Sequence, residues 1–158
     1  MKVVKRVVAL VMIASMCIPL VACKSYKKIS KKQFMKKMEE EGYVLYEQED
    51  RIFEEYCLAT STTAPIAFQF GLCEDKSDAD EYFNDIYREI DDQEKNGTIK
   101  KTTNKITFKG SIKSDSEFAV VEYLVVIRSD EMILMAYSTS RYDEYVDEID
   151  DILEDLCG

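Results

Sequence analysis

The sequence predicts an α+β protein: an antiparallel sheet with two helices packed on it and a further helix on its N-terminal side. Two observations carry that prediction. Three stretches with apolar residues at helical spacing each follow a capping residue, and the β-rich runs come in neighbouring pairs joined by turn residues, not singly between helices. The order reads helix, strand, an ambiguous segment, a strand pair, helix, an edge strand, a second strand pair and a last helix.

The chain opens MKVVKRVVALVMIASMCIPLVAC. Lys2, Lys5 and Arg6 form a positive n-region, Val7 to Pro19 an apolar h-region, and Leu20-Val21-Ala22-Cys23 closes it with small residues and a cysteine, the pattern of an exported precursor. A membrane span needs about 20 consecutive apolar residues, whereas the sixteen from Val7 to Ala22 are interrupted by Ser15 and Pro19. The four closing residues resemble the lipobox of bacterial lipoproteins. That resemblance implies that residues 1–22 are a signal peptide, that the Cys23 thiol takes a diacylglyceryl group of the palmitate type, and that Cys23 becomes the first mature residue. The mature protein is then lipid-anchored at the outer face of the cytoplasmic membrane, since two acyl chains on one cysteine hold stably where one binds only marginally. The lipobox implies a bacterial host, and the Lys-rich, glycine-poor style leans Gram-positive.

Removing residues 1–22 from 158 leaves 136, a length for one domain with a real core. Residues 23–29 read as a lipidated basic tether and 30–158 as a single α+β domain. Charge is unevenly placed. From residue 23 onward seven lysines, among them Lys24, Lys27, Lys28, Lys31, Lys32 and Lys36, precede the first acid, Glu39, and from there on 31 acids face 11 bases. The six named lysines form a membrane-proximal basic group, attracted to anionic headgroups by on the order of 1 kcal/mol each. The acidic balance of the rest speaks against a nucleic-acid partner, which needs clustered Lys and Arg.

Ser30 caps the first helix, with Gln33 completing a capping box and Ile29 stapling to Phe34. The helix should run from Lys31 to Glu41 and stop at Gly42. Its Phe34, Met35 and Met38 either rest on the bilayer or enter the core. Residues 43–48 read as a strand, 51–55 as ambiguous, and 56–61 with 66–73 as a hairpin with one buried face. Ser77 and Asp80 suggest a capping box opening a helix that ends before Asn96-Gly97, and residues 105–109 an edge strand guarded by lysines. Residues 118–127 are apolar enough for a central strand, with 132–137 as partner. Ser140 and Asp143 suggest a third capping box before the last helix. A shift of 63 positions aligns Ser77 with Ser140, Tyr82 with Tyr145 and Ile86 with Ile149. Two readings stand open: an internal duplication of a hairpin-helix unit with a pseudo-two-fold relation, or the similarity of any two capped acidic helices.

The chain has no histidine, which removes Ser-His and Cys-His catalysis and His-based zinc sites. Cys57, Cys73 and Cys157 allow at most one disulfide, or are buried thiols. No P-loop, nucleophile elbow, dinucleotide fingerprint or zinc-protease motif occurs. No cofactor, metal or catalytic residue is assigned. The last helix carries Asp143, Glu144, Asp147, Glu148, Asp150, Asp151, Glu154 and Asp155, a solvated face or a cation-attracting one. Glu122 interrupts the central strand. The leading expectation is a non-enzymatic extracytoplasmic lipoprotein that binds a protein or small-molecule ligand. The alternative is a small carboxylate-dependent hydrolase or carbohydrate-active protein at the cell surface, with Glu122 its first candidate.

Overall fold

The computed structural model describes residues 25–93, 96–113 and 120–158. Residues 1–22, expected to be a signal peptide, Cys23, Lys24 and the expected start of the central strand at Phe118 lie outside the described residues. In chain order the elements are α1 (Lys31–Glu40), β1 (Val44–Glu47), β2 (Glu55–Thr60), β3 (Ile66–Leu72), α2 (Lys76–Asp92), β4 (Asn96–Lys101), β5 (Lys105–Lys113), β6 (Val120–Ser129), β7 (Met132–Ser138) and α3 (Asp143–Cys157). Seven strands form one sheet in the order β1-β2-β3-β7-β6-β5-β4, every pairing antiparallel. The α+β class is as expected from the sequence.

α1 and α3 cover one face of the sheet, where Phe34, Met38, Ile149 and Leu153 pack with Phe68, Phe70 and Val125. α2 covers the other face, where Ala79, Phe83 and Ile90 meet Ile106, Phe108 and Val126. The central strands are therefore apolar at successive positions because both their faces are buried. Leu124 and Val126 join one cluster, and Tyr123, Val125 and Ile127 the other. A two-fold axis exchanging β3 with β7 would stand perpendicular to the sheet and leave α2 and α3 on the same face. They lie on opposite faces, so no such axis relates α2 to α3.

Helix starts obey the capping rules unequally. At α1 the expected box is present: Ser30 Oγ accepts from the Gln33 N–H at 3.2 Å, and the Ser30 N–H donates to Gln33 Oε1 at 2.9 Å. α2 begins earlier than Ser77 predicts, because Asp75 is the cap and accepts from the Asp78 N–H at 3.0 Å. Asp75 stands where the chain leaves β3, and both residues satisfy the local rule. α3 follows Tyr142 without a side-chain cap, and Ser140 only receives the Tyr142 N–H at 3.5 Å.

α1 ends at a Schellman turn. The Gly42 N–H donates to the Glu39 carbonyl, the Tyr43 N–H donates to the Met38 carbonyl, and Gly42 has φ +82°. Gly42→Ala should cost about 1 kcal/mol through that φ alone, since a Cβ there meets nothing within 4 Å. Urea unfolding checks it.

The expected edge strand at 105–109 is not an edge. β5 is longer, and β4, which the sequence did not announce, lies outside it. Asn96-Gly97 reads as a helix stop and NGTIKK carries no buried stripe, so no periodicity marks it. Gly97 faces Gly110 across the pair, and a Cβ on either would overlap backbone of the other strand.

The stretch before α1 is not a free linker from end to end. Ser129 Oγ donates to the Tyr26 carbonyl at 2.7 Å, the Lys27 N–H donates to the Cys157 carbonyl at 2.9 Å, and Ile29 is buried. Tyr26 to Ile29 are thus fastened to the β6-β7 turn and the end of α3, leaving Lys24 and Ser25 between Cys23 and the body.

Candidate functional site

Of the lysines expected beside the membrane, Lys28 and Lys31 are spent inside the protein, paired with Glu131 and Glu47. Lys36 approaches Glu40 one turn away at 3.7 Å. Lys27 and Lys32 make no ion pair among the described residues. Phe34 and Met38 are wholly buried, so α1 spends its apolar face on the core instead of offering it to a bilayer. Among the described residues no helix is long and apolar enough to cross a membrane.

The same end of the sheet carries an open cleft on the α2 side, with a volume of about 510 Å³. It forms because Asp50 turns the chain ahead of β2: its carboxylate accepts from the Ile52 and Phe53 N–H groups at 2.7 and 3.2 Å. The turn drives the Phe53 ring onto Gly71, where no side chain larger than hydrogen fits. Tyr82 meets Phe53 edge-on at 5.0 Å and Tyr56 stacks on it at 6.0 Å. Ile52 stands 55% exposed beside them. Around this apolar floor lie Glu54, Glu74, Asp78, Glu81 and Asp85, with Arg51 the one base lining the cleft. Asp85 pairs with Arg88 at 2.6 Å. The other four make no ion pair among the described residues.

The acids of α3 are differently employed. Tyr43 Oη donates to Glu148 at 2.8 Å and Tyr123 Oη to both oxygens of Asp150 at 3.0 Å, while Asp155 pairs with Lys37 at 2.9 Å and Asp143 with Lys109 at 3.7 Å. These four carboxylates tie α3 to β5, to β6, to α1 and to Tyr43, the residue that follows the glycine closing α1. No group of three or more His, Cys, Asp or Glu able to hold a metal occurs among the described residues.

Glu122 is half-buried, and its carboxylate accepts the Arg141 N–H at 3.1 Å, steadying the loop that leads into α3. Neither Lys105 nor Arg128 pairs with it. Lys105 approaches Asp150 at 3.9 Å, and Arg128 pairs with Asp80, holding α2 to the sheet. Cys57, Cys73 and Cys157 are buried and unbridged, which decides between the two readings of them. Burial pushes the Cys73 thiol up to about 11, so it is a poor nucleophile at neutral pH.

Burial also raises the tyrosines. Tyr56 is pushed up to about 12, mainly by desolvation. Tyr43 and Tyr123 are raised further by burial together with Glu148 and Asp150. A phenol ionises near 10 in the unfolded chain, so each group's contribution is complete below about pH 10 and falls as pH rises through its folded value. Alkaline titration should therefore show these phenolates appearing together with loss of near-UV circular dichroism. All 10 tyrosines ionising near pH 10 with the fold intact would contradict it.

No family model, no curated protein and no solved structure matches this chain.

Proposed function

We propose that this chain is a bacterial lipoprotein, anchored through Cys23 at the outer face of the cytoplasmic membrane, whose body is a non-enzymatic binding module. The observation that carries the reading is the run from the charged n-region through the apolar stretch to Leu20-Val21-Ala22-Cys23. The attachment of Tyr26 to the body supports a close mounting. Two residues, Lys24 and Ser25, separate Cys23 from Tyr26, so the three residue steps reach at most about 11 Å of extended chain, comparable to the Debye length of about 8 Å at physiological salt. A body held there feels the headgroup charge, although with Lys28 and Lys31 internally paired the attraction falls mainly to Lys24, Lys27, Lys32 and Lys36.

The binding role is supported by an open cleft and by the absence of histidine. Glu148, Asp150 and Asp155 of α3 and Glu122, which an acid-dependent hydrolase would draw on, serve as acceptors for tyrosine hydroxyls, a lysine and a loop N–H. Feeding cells an alkyne-bearing palmitate and detecting it on the protein tests the anchor. Label on the natural chain and none on Cys23→Ser is the expected result, and no label on either would refute it.

A further inference from the structure

We infer that the cleft between the Arg51–Glu54 segment and α2 is a docking groove for a basic peptide segment that carries an apolar side chain between its cations. The inference rests on reading the body as a binding module and names the partner class. Three features of the groove converge on that chemistry. Its floor is apolar yet open to water, with Ile52 55% exposed beside Phe53 and Tyr82, an arrangement that favours insertion of an aliphatic or aromatic group. Its size of about 510 Å³ falls within the range of about 300–1,000 Å³ for ligand clefts.

Its charge is net negative: Glu54, Glu74, Asp78, Glu81 and Asp85 line it against Arg51, its one lining base. Several other carboxylates of this acidic chain face lysines or tyrosine hydroxyls, as at Glu47, Asp143, Glu148, Asp150 and Asp155. In the groove Asp85 pairs with Arg88, while Glu54, Glu74, Asp78 and Glu81 make no ion pair among the described residues. The chain's own basic segment does not fill it, since Lys28 and Lys31 are bound to Glu131 and Glu47.

The spacing suits a peptide better than a compact amine. Asp78, Glu81 and Asp85 follow one another along a flank of α2, and at 1.5 Å per residue the first and last stand roughly 10 Å apart along the axis. In an extended peptide cations on alternate residues stand roughly 7 Å apart, so two of them reach separate carboxylates along this flank, while the side chain between them points to the opposite side, towards Ile52.

The test is fluorescence anisotropy of a labelled Lys-Phe-Lys-Ile-Lys peptide with the full chain in detergent micelles, against a Glu-Phe-Glu-Ile-Glu control. The proposal expects saturable binding of the basic peptide alone, weakening as salt is raised. Asp78→Asn with Glu81→Gln should weaken it about tenfold, while the equal charge change Glu144→Gln with Asp147→Asn on α3 leaves it unaltered. Tyr82→Ala should weaken it without altering the salt dependence. Thermal melts confirm that each variant folds. Absence of saturable binding, or equal loss from the two charge-matched pairs, overturns the proposal. So does self-association in sedimentation that the groove variants abolish, which would make a second copy the occupant. The anchor is judged separately: a labelled chain that ignores the peptide refutes the groove alone, and a peptide-binding chain without palmitate refutes the anchor alone.

Discussion

Phe68→Ala should remove about 3–5 kcal/mol of stability, out of a total of about 5–15 kcal/mol for a domain. Phe68 is fully buried in β3, and its ring meets Tyr43 edge-on at 5.2 Å. Its cross-strand neighbours are Ala59 on β2 and Ala136 on β7. One large side chain thus fills the width left by two small ones, and neither alanine can swing in to close the void. The loss should stand at the upper part of the usual range for that reason, while Phe68→Leu should cost about 1–2 kcal/mol. Urea denaturation reads both. A cost below about 1 kcal/mol for the alanine variant would mean that α1 and α3 do not close over this face.

Gly110→Val should cost about 3 kcal/mol, at the upper end for overpacking, and should release β4. The obstacle at this position is backbone: a Cβ on Gly110 would overlap the Asn96 carbonyl and the Gly97 Cα. Backbone cannot rotate aside as a side chain can. Hydrogen exchange should show the β4 amides losing protection while those of β6 and β7 keep theirs. Retained protection and an unchanged melting temperature would show that β4 does not pair with β5 in this register.

These two sites divide what could be read in advance from what could not. Phe68 belongs to an alternating run whose buried face is visible in one dimension, and the α1 cap with Gly42 is a local motif that forms as written. The caps of α2 and α3 were displaced because Ser77 and Asp75, or Ser140 and Tyr142, compete within a few residues, and the choice depends on where the preceding strand ends. β4 left no trace because an exposed edge strand has no core stripe to betray it. The face on which each helix lies is a property of connections, so the 63-residue similarity of α2 and α3 could not reveal that they occupy opposite sides.

The candidate groove was invisible for a related reason. It joins Ile52 and Phe53 to Asp78, Glu81 and Tyr82, residues about 30 positions apart whose meeting depends on the Asp50 turn and the bare backbone of Gly71. One sign could have drawn attention to it: an apolar pair, Ile52-Phe53, set among charged residues in a segment with no clear period. The attachment of Tyr26 and Ile29 was similarly hidden, because isolated apolar residues in a lysine-rich stretch read as tether. Its consequence is that the end of the sheet holding the basic segment also holds the acidic groove. The basic group before Glu39 and the acidic remainder, separate in the sequence, thus meet at one end of the sheet.

The account turns on Cys23, and mass spectrometry of the mature protein's N-terminal peptide tests it most directly. The expected peptide begins at Cys23, lacks residues 1–22 and carries the added mass of a diacylglyceryl group on the thiol. A mature chain that retains residues 1–22, or that begins elsewhere with an unmodified Cys23, would contradict the anchor and the membrane-proximal mounting that follows from it.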